Sequence, residues 1–474
     1  MKLGLRMGPL LYGVLSVALG HAQGPAAAPP GYEIVVHAED VVCERFLGFG
    51  AEWDSSAYPV YGVTDEDFAL AAKRVRWMRL PVARIMMLTK WCYLGNAAFD
   101  WETDAMKALY RHLDLCQELG TTVLLTDWGG EKEWTTAPGI DGVDDPEYAM
   151  VIGTYLDYLL NAKNYSCIQY FILTNEPNWE VGDWDKWKRG VENVAAVLAK
   201  RGLDKRLIFT GSDTSQDASN EVWHRWAVDQ LQHILGAYDV HRYANSTRVR
   251  TGELETYWRT HWDYALEHDP AAKGKPFIVG EAGMHDDAQH PTGNPHIGEY
   301  GYGVFMADYA VQAARAGSAA VSAWMLDDNS HKGFFWGLWG NKENGMKLRP
   351  WFYPWSLLSR YFPMGSVIYR AAQTSADLRI LAARIPAHGR QGGDAWTFCL
   401  VNRAEITANV TLRVPGAPAL ELQRYVYSEK EAPADADGFP TPVATERGVL
   451  AKGIAVPCPG NSAVFLTSLP SVSF

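Results

Sequence analysis

The chain predicts an α/β fold: a closed (β/α)8 barrel followed by a C-terminal β-sandwich. Three observations lead there. Up to about residue 362, eight apolar strand-like runs alternate with segments of helical period, the pattern of a parallel sheet with crossover helices. From about Gly365 the helical period vanishes, and short runs separated by Gly, Pro and Asp turns replace it. The chain is 474 residues long and 47% hydrophobic, enough for a barrel and a second core.

Taken in order, the N-terminus carries Lys2 and Arg6, a mostly apolar run over 8–20, and the small residues Gly20 and Ala22. This is the pattern of an export signal over 1–22, too short to span a membrane, and no later apolar run is long enough to do so. Residues 23–31 form a Pro/Ala linker. Residues 32–37 read as a strand with no helix behind it, so 32–45 are expected to leave the barrel and complete the sandwich. The barrel is assigned to 46–362 and the sandwich to 363–474.

Strand one lies at 46–54. Thr64 caps the next helix, with Asp67 at the reciprocal position of a capping box. Strand two is at 82–87. Thr103 caps a helix whose apolar face, Met106, Leu109, Leu113 and Cys116, ends at Gly120. Strand three is at 121–128, and Asp145 with Pro146 opens the following helix. Strand four is at 168–173; the helix carrying Val191, Val194 and Leu198 stops at Gly202. Strands five to eight lie at 207–213, 238–243, 276–281 and 319–327. A long loop over 284–301 holds His285, His290 and His296 and is expected to wall the site. An insertion over 328–348 precedes the last helix at 354–361. The sandwich strands are read at 366–369, 378–381, 396–401, 410–414, 420–427 and 463–466.

Strand four, with Ile168, Tyr170, Phe171, Ile172 and Leu173, ends in Asn175, Glu176 and Pro177, where proline stops the ladder. Strand seven ends in Glu281 between Gly280 and Gly283. In a barrel of parallel strands the carboxyl ends carry the chemistry. Two carboxylates there are the minimum equipment for cleaving a glycosidic bond.

Here the sequence resembles glycoside hydrolase clan A, a clan of retaining glycosidases on the TIM barrel. Its acid/base follows an Asn at the end of strand four, and its nucleophile ends strand seven. The resemblance covers about residues 46–362. It implies Glu176 as acid/base and Glu281 as nucleophile, with retention of configuration and carboxyl groups about 5–5.5 Å apart. The acid must hold its proton near neutrality, which its partner's charge and partial burial favour. Arg84 on strand two is the implied cation beside the nucleophile; Arg79 is its rival if the strand starts earlier. Asn175 is expected at the sugar 2-hydroxyl, His241 and Tyr243 near the nucleophile, and Trp324 as a stacking platform. Glu52, Trp53, Asp127 and Trp128 also sit at strand ends as sugar-binding residues, and Trp179, with Asn178, extends the strand-four loop into the cleft. A side sandwich is shared by several clan families, family 30 among them. Gly48, Phe49, Gly50 and Ala51 resemble that family's strand-one opening, whereas Glu52, Trp53 and Asp54 depart from it.

Composition bounds the alternatives. The net charge of −12 argues against a nucleic-acid partner and against a strongly anionic substrate. The 19 Trp and 23 Tyr agree with a carbohydrate partner. The six cysteines show no zinc spacing. Export permits disulfides, and Cys399 with Cys458 is the one pair inside the same small domain, yet buried free thiols are the reading for all six. No HExxH, nucleophile elbow, phosphate loop or dinucleotide fingerprint occurs, and the histidines of 285–296 fit no ligand pattern, so neither metal nor cofactor is expected. A carbohydrate-binding protein on a catalytically retired barrel is the reading from another class; loss of either glutamate would have favoured it.

Overall fold

A computed structural model of the protein describes residues 30–215, 220–387 and 393–470. The expected export signal, 1–22, and residues 23–29 of the linker lie outside the described residues. Eight parallel strands close a barrel: β1 (Gly48–Glu52), β2 (Val82–Met87), β3 (Thr122–Asp127), β4 (Ile168–Leu173), β5 (Ile208–Thr214), β6 (Ala237–Ala244), β7 (Phe277–Met284) and β8 (Ala320–Ala323). They follow chain order around the ring, and β8 pairs back onto β1 with Ala323 opposite Ala51. Their near-continuous apolar runs fit strands covered on both faces. Gly50 is required where β1 meets β2, because a Cβ there would stand 2.2 Å from the Val82 carbonyl oxygen.

The helix boundaries follow local chemistry. The Thr64 hydroxyl accepts from the Asp67 N–H, and the Asp67 carboxylate accepts from the Thr64 N–H, opening the helix Asp65–Met78. Thr103 caps Asp104–Leu119, and Gly120 ends it in the left-handed region at φ 69°. Asp145 with Pro146 opens Pro146–Asp157, and Gly202 closes Trp184–Arg201.

The helix Tyr300–Arg315 is buried almost all round because it lies between barrel and sandwich. Two of its polar residues reach partners in the sandwich. Asp308 pairs with Arg379 at 3.0 Å, and Arg315 Nη1 donates to the carbonyls of Ala371 and Ile380. A buried ion that lost such a partner would destabilise the fold strongly.

The sandwich packs a seven-stranded sheet on a three-stranded one. Gly31–Val35 joins the smaller sheet, parallel to Ala408–Arg413, and Ile34 enters a core with Phe398, Leu412 and Leu466. The N-terminal strand thus completes the sandwich as expected, but a second N-terminal segment joins too. Val41–Phe46 pairs antiparallel with Ser366–Tyr369 before the chain enters β1. The strands Ala444–Val449 and Ile454–Cys458 also lie beyond the six read from sequence. All three are short, and each leaves side chains half-buried or exposed, so none carries a strong apolar run. The six cysteines are free thiols, Cys399 and Cys458 among them. Among the described residues no helix is long and apolar enough to cross a membrane.

Candidate active site

The carboxyl ends of the barrel strands open into a cleft of about 1030 Å³. Glu176 and Glu281 both line it, with Asn175, Tyr243 and Trp324. Glu281 stands in β7, and the small residues around it are there for packing. A Cβ on Gly280 would lie 2.5 Å from an Asp239 oxygen, and one on Gly283 would lie 2.7 Å from the Tyr243 ring. Glu176 stands just past β4, at φ 43°, heading the short helix Pro177–Glu180. Thr174 and Asp213 are also left-handed, at φ 74° and 59°. Each such non-glycine residue costs on the order of 1–3 kcal/mol and persists only where its surroundings over-determine it. Here they do: the Glu176 N–H approaches Asp213 Oδ2 at 3.4 Å, and the Asn178 side chain accepts from the Ser215 N–H at 3.0 Å.

Arg84 organises the floor. From β2, fully buried, its Nη1 donates to Glu281 Oε1 at 2.8 Å, and its Nη2 to Asn175 Oδ1 and Asp213 Oδ2, each at 2.9 Å. Arg79 instead ends the helix Asp65–Met78 on the outside of the barrel, so Arg84 is the strand-two arginine at the site. Tyr243 donates its hydroxyl to Glu281 Oε2 at 2.8 Å. His241 has Nδ1 3.0 Å from Glu176 Oε1 and 3.6 Å from Glu281 Oε1, while Nε2 is 3.0 Å from Asp213 Oδ1. One oxygen of Glu176 and one of Glu281 lie within 4.8 Å of each other.

The electrostatics follow from burial and these contacts. Burial pushes the Glu281 carboxyl above the ordinary glutamate range; the charges of His241 and Arg84 oppose it, and Glu176 adds to it. Burial alone would push the His241 imidazole down, but Asp213, Glu281 and Glu176 hold it well above the usual histidine range. Burial also works against the Asp213 carboxylate, yet Arg84 and His241 keep it below the usual range.

The remaining expected residues divide. Trp324 faces the cleft with its ring stacked on His331, centroids 5.2 Å apart. Trp128 lines the cleft edge-on to both His331 and Trp134, and Trp179 stands exposed on its wall. Trp53 is corrected: it is fully buried, donates its indole N–H to the Tyr58 hydroxyl and packs against Phe68 and His112. It follows Glu52 along the strand, and consecutive strand residues point to opposite faces. Asp127 is likewise buried beneath the cleft, accepting from the Tyr148 hydroxyl and the Gly129 N–H, and burial pushes its carboxyl to about 7. Glu52 is fully buried at the barrel mouth; burial raises it well above the usual range, and His331 Nε2 is 3.4 Å away.

Sequence reasoning missed Asp213, which looked like any strand-end acid, and His331, which lies in an insertion without periodicity. His285 and His290 line the cleft, and His290 packs edge-on to Tyr243 at 4.7 Å. His296 turns to Asp287 and Glu299. Among the described residues, the clusters with metal-ligand spacing are Glu52, Asp54, His331; Glu176, His241, Glu281; and Asp213, Asp239, His241, none of them drawn from the 285–296 loop.

No family model matches the chain. Solved structures do. A glycoside hydrolase family 30 subfamily 8 xylanase from Clostridium acetobutylicum superposes with TM-score 0.64 at 13% identity, over 92% of this chain and 99% of that one. A family 51 α-L-arabinofuranosidase from Bifidobacterium longum gives 0.66 at 14%, over 92% and 99%. A conserved exported protein from Bacteroides fragilis gives 0.67 at 9%, over 92% and 99%. The fold is that of the clan A glycoside hydrolases. The superposition on the family 30 xylanase takes in the barrel and the side β-domain alike.

Proposed function

We propose that the protein is an exported, retaining O-glycoside hydrolase acting on a polysaccharide or oligosaccharide. Glu176 serves as acid and then base, and Glu281 as nucleophile. The observation that carries this reading is the carboxylate pair: the ends of β4 and β7 bring oxygens of Glu176 and Glu281 within 4.8 Å in one open cleft. Retaining enzymes hold the two carboxyl groups about 5–5.5 Å apart for direct attack on the anomeric carbon, whereas inverting enzymes need about 6.5–9.5 Å to admit water.

In the first step Glu281 attacks the anomeric carbon as Glu176 protonates the departing oxygen. In the second Glu176 takes a proton from water, whose oxygen displaces Glu281. Arg84 and Tyr243 each donate to one Glu281 oxygen, orienting it and favouring its charged form. Asn175, fixed by Arg84, is the group for the sugar 2-hydroxyl, and Trp324 the platform for the ring. The likeness in fold to a xylanase and an arabinofuranosidase supports a carbohydrate substrate, and the N-terminal pattern over 1–22 supports export.

A panel of aryl glycosides and glycans, followed by NMR of the first product formed, tests the reading. We expect the product anomer to match the substrate and Glu281→Gln to abolish turnover, because an amide cannot attack. Inverted product, or substantial turnover by Glu281→Gln, would overturn it.

A further inference from the structure

Three side chains form a line beneath the cleft: Asp213, His241 and Glu176. The Asp213 carboxylate is fully buried in β5 and is approached by His241 Nε2 at 3.0 Å, Arg84 Nη2 at 2.9 Å and the Glu176 N–H at 3.4 Å, with the Asp239 carboxyl also hydrogen-bonded to it. On the other side of the ring, His241 Nδ1 is 3.0 Å from Glu176 Oε1. Each imidazole nitrogen therefore faces a carboxylate oxygen.

This geometry restricts where protons sit. Arg84 can only donate, so it holds Asp213 ionised, as an acceptor. Nε2 must then carry a hydrogen toward Asp213. Nδ1 is left to Glu176, where a lone pair facing a carboxylate lone pair is unfavourable, so the Nδ1–Oε1 contact holds a shared proton. Building on the glycosidase reading, we propose that Asp213 is a positioning residue: by fixing the Nε2–H form of His241 it leaves Nδ1 free to give and take a proton with Glu176, so that the acid/base works as a Glu176–His241 couple.

The proton balance is simple. When the glycosidic bond breaks, the couple's proton goes to the leaving oxygen, and Glu281 bonds to the anomeric carbon. Glu176 is then a carboxylate facing the Nδ1 lone pair, with no proton between them. Water returns one proton to the couple as its oxygen displaces Glu281. The charged groups facing His241 all bear on its titration: Asp213 from β5, Glu176 beyond β4, Glu281 from β7, Arg84 from β2, and Asp239 on its own strand. Of these, Asp213, Glu281 and Glu176 favour the protonated ring.

Asp213→Asn is the test, because its outcome is fixed by donor chemistry. Arg84 will claim the amide oxygen, so the amide NH2 must face Nε2. His241 then has to carry its hydrogen on Nδ1, pointing permanently at Glu176, and the acid can no longer be loaded. We expect kcat/KM for a glycoside with a poor leaving group to fall about 10²- to 10⁴-fold. A dinitrophenyl glycoside should be largely spared in its first step, and the alkaline limb of the pH profile should move down by at least about one pH unit, since a buried negative charge is gone. Asp213→Glu should restore part of the profile. A uniform loss for good and poor leaving groups with an unmoved profile would overturn the role. Glu281→Gln is assayed in parallel: if it still turns over, the glycosidase reading itself fails, whereas if it is dead and Asp213→Asn behaves as wild type, only the role of Asp213 fails. Should Asp213→Asn not fold, imidazole ¹⁵N shifts of the wild-type protein decide, with His241 assigned by difference from His241→Asn. We expect Nε2 to stay protonated across the titration while Nδ1 changes; Nε2 found unprotonated would overturn the proposal.

Discussion

Tyr243→Phe isolates one of the two donors on the proposed nucleophile. The phenol hydroxyl donates to Glu281 Oε2 at 2.8 Å, and Arg84 donates to the other oxygen. Phenylalanine keeps the ring, which packs against Trp336 and His290 and closes over Gly283, so the pocket should hold its shape. What is lost is a hydrogen bond to a charged group, about 1.5–3 kcal/mol. At about 1.4 kcal/mol per pH unit, the Glu281 carboxyl should move up by roughly 1–2 pH units, adding to the rise that burial already imposes. The acidic limb of kcat/KM reports ionisation in the free enzyme. That limb should shift to higher pH by the same amount, so the loss is largest on the acid side and shrinks as pH rises. The assay is a pH profile of kcat/KM on whichever aryl glycoside the panel selects. An acidic limb that stays in place, with one constant loss at every pH, would mean the hydroxyl acts on substrate and not on Glu281.

Other perturbations probe separate links. Glu176→Ala should slow substrates with poor leaving groups most, and azide should rescue the second step with a glycosyl azide of retained configuration; equal losses and no rescue would remove Glu176 as acid/base. Asp127, pushed up to about 7 by burial, binds its proton more tightly folded than unfolded, so its contribution to stability falls as pH rises from about 4 to 7. Asp127→Asn should therefore gain on wild type by a few kcal/mol, on the order of 3–4, between pH 4 and pH 8 in urea unfolding; a constant difference would refute the shift. Removing residues 366–474 should leave insoluble protein, because Tyr425, Tyr427 and Phe465 pack into the barrel's own core; a soluble, fully active 38–365 fragment would refute that packing.

The parts of the site legible in sequence are those written on strand ends. Asn175, Glu176, Tyr243 and Glu281 each follow a short apolar run, and the rule that barrel chemistry sits at carboxyl ends picks them out. The choice between Arg84 and Arg79 needed coordinates, because Pro81 lies between two workable strand starts; the pairing of Arg84 with Glu52 across β1 and β2 and with Leu124 across β2 and β3 fixes the register. Trp53 was misread for a different reason. Strand-end position says that a residue is near the mouth, while the two-residue alternation says which way it points, and that second test separates Glu52 from Trp53. Asp213 was invisible because its role is defined by what it touches. Nothing local distinguishes it from Asp127, although one is held ionised by Arg84 and the other is pushed up to about 7 by burial.

That contrast is how the barrel mouth sorts a crowd of carboxyl groups. Glu52, Asp213, Asp239 and Glu281 are all buried within reach of the same few cations. They cannot all be charged, since like charges at short range in a poorly solvated site raise one another's affinity for protons. Arg84 and His241 decide the allocation. Asp213 receives both and stays ionised; Asp239 is driven well above the usual range by burial, with neighbouring Asp213's charge adding to it. Glu281 receives Arg84 and Tyr243 and is held in one orientation with little exposure, whereas the Glu176 side chain keeps 21% of its surface open on a left-handed turn. In the proposed roles, Glu281 as nucleophile needs a fixed aim, and Glu176 as acid/base must meet the leaving group and then water. The donors are therefore spent on the first, the access is left to the second, and His241 stands between them as the group that touches both.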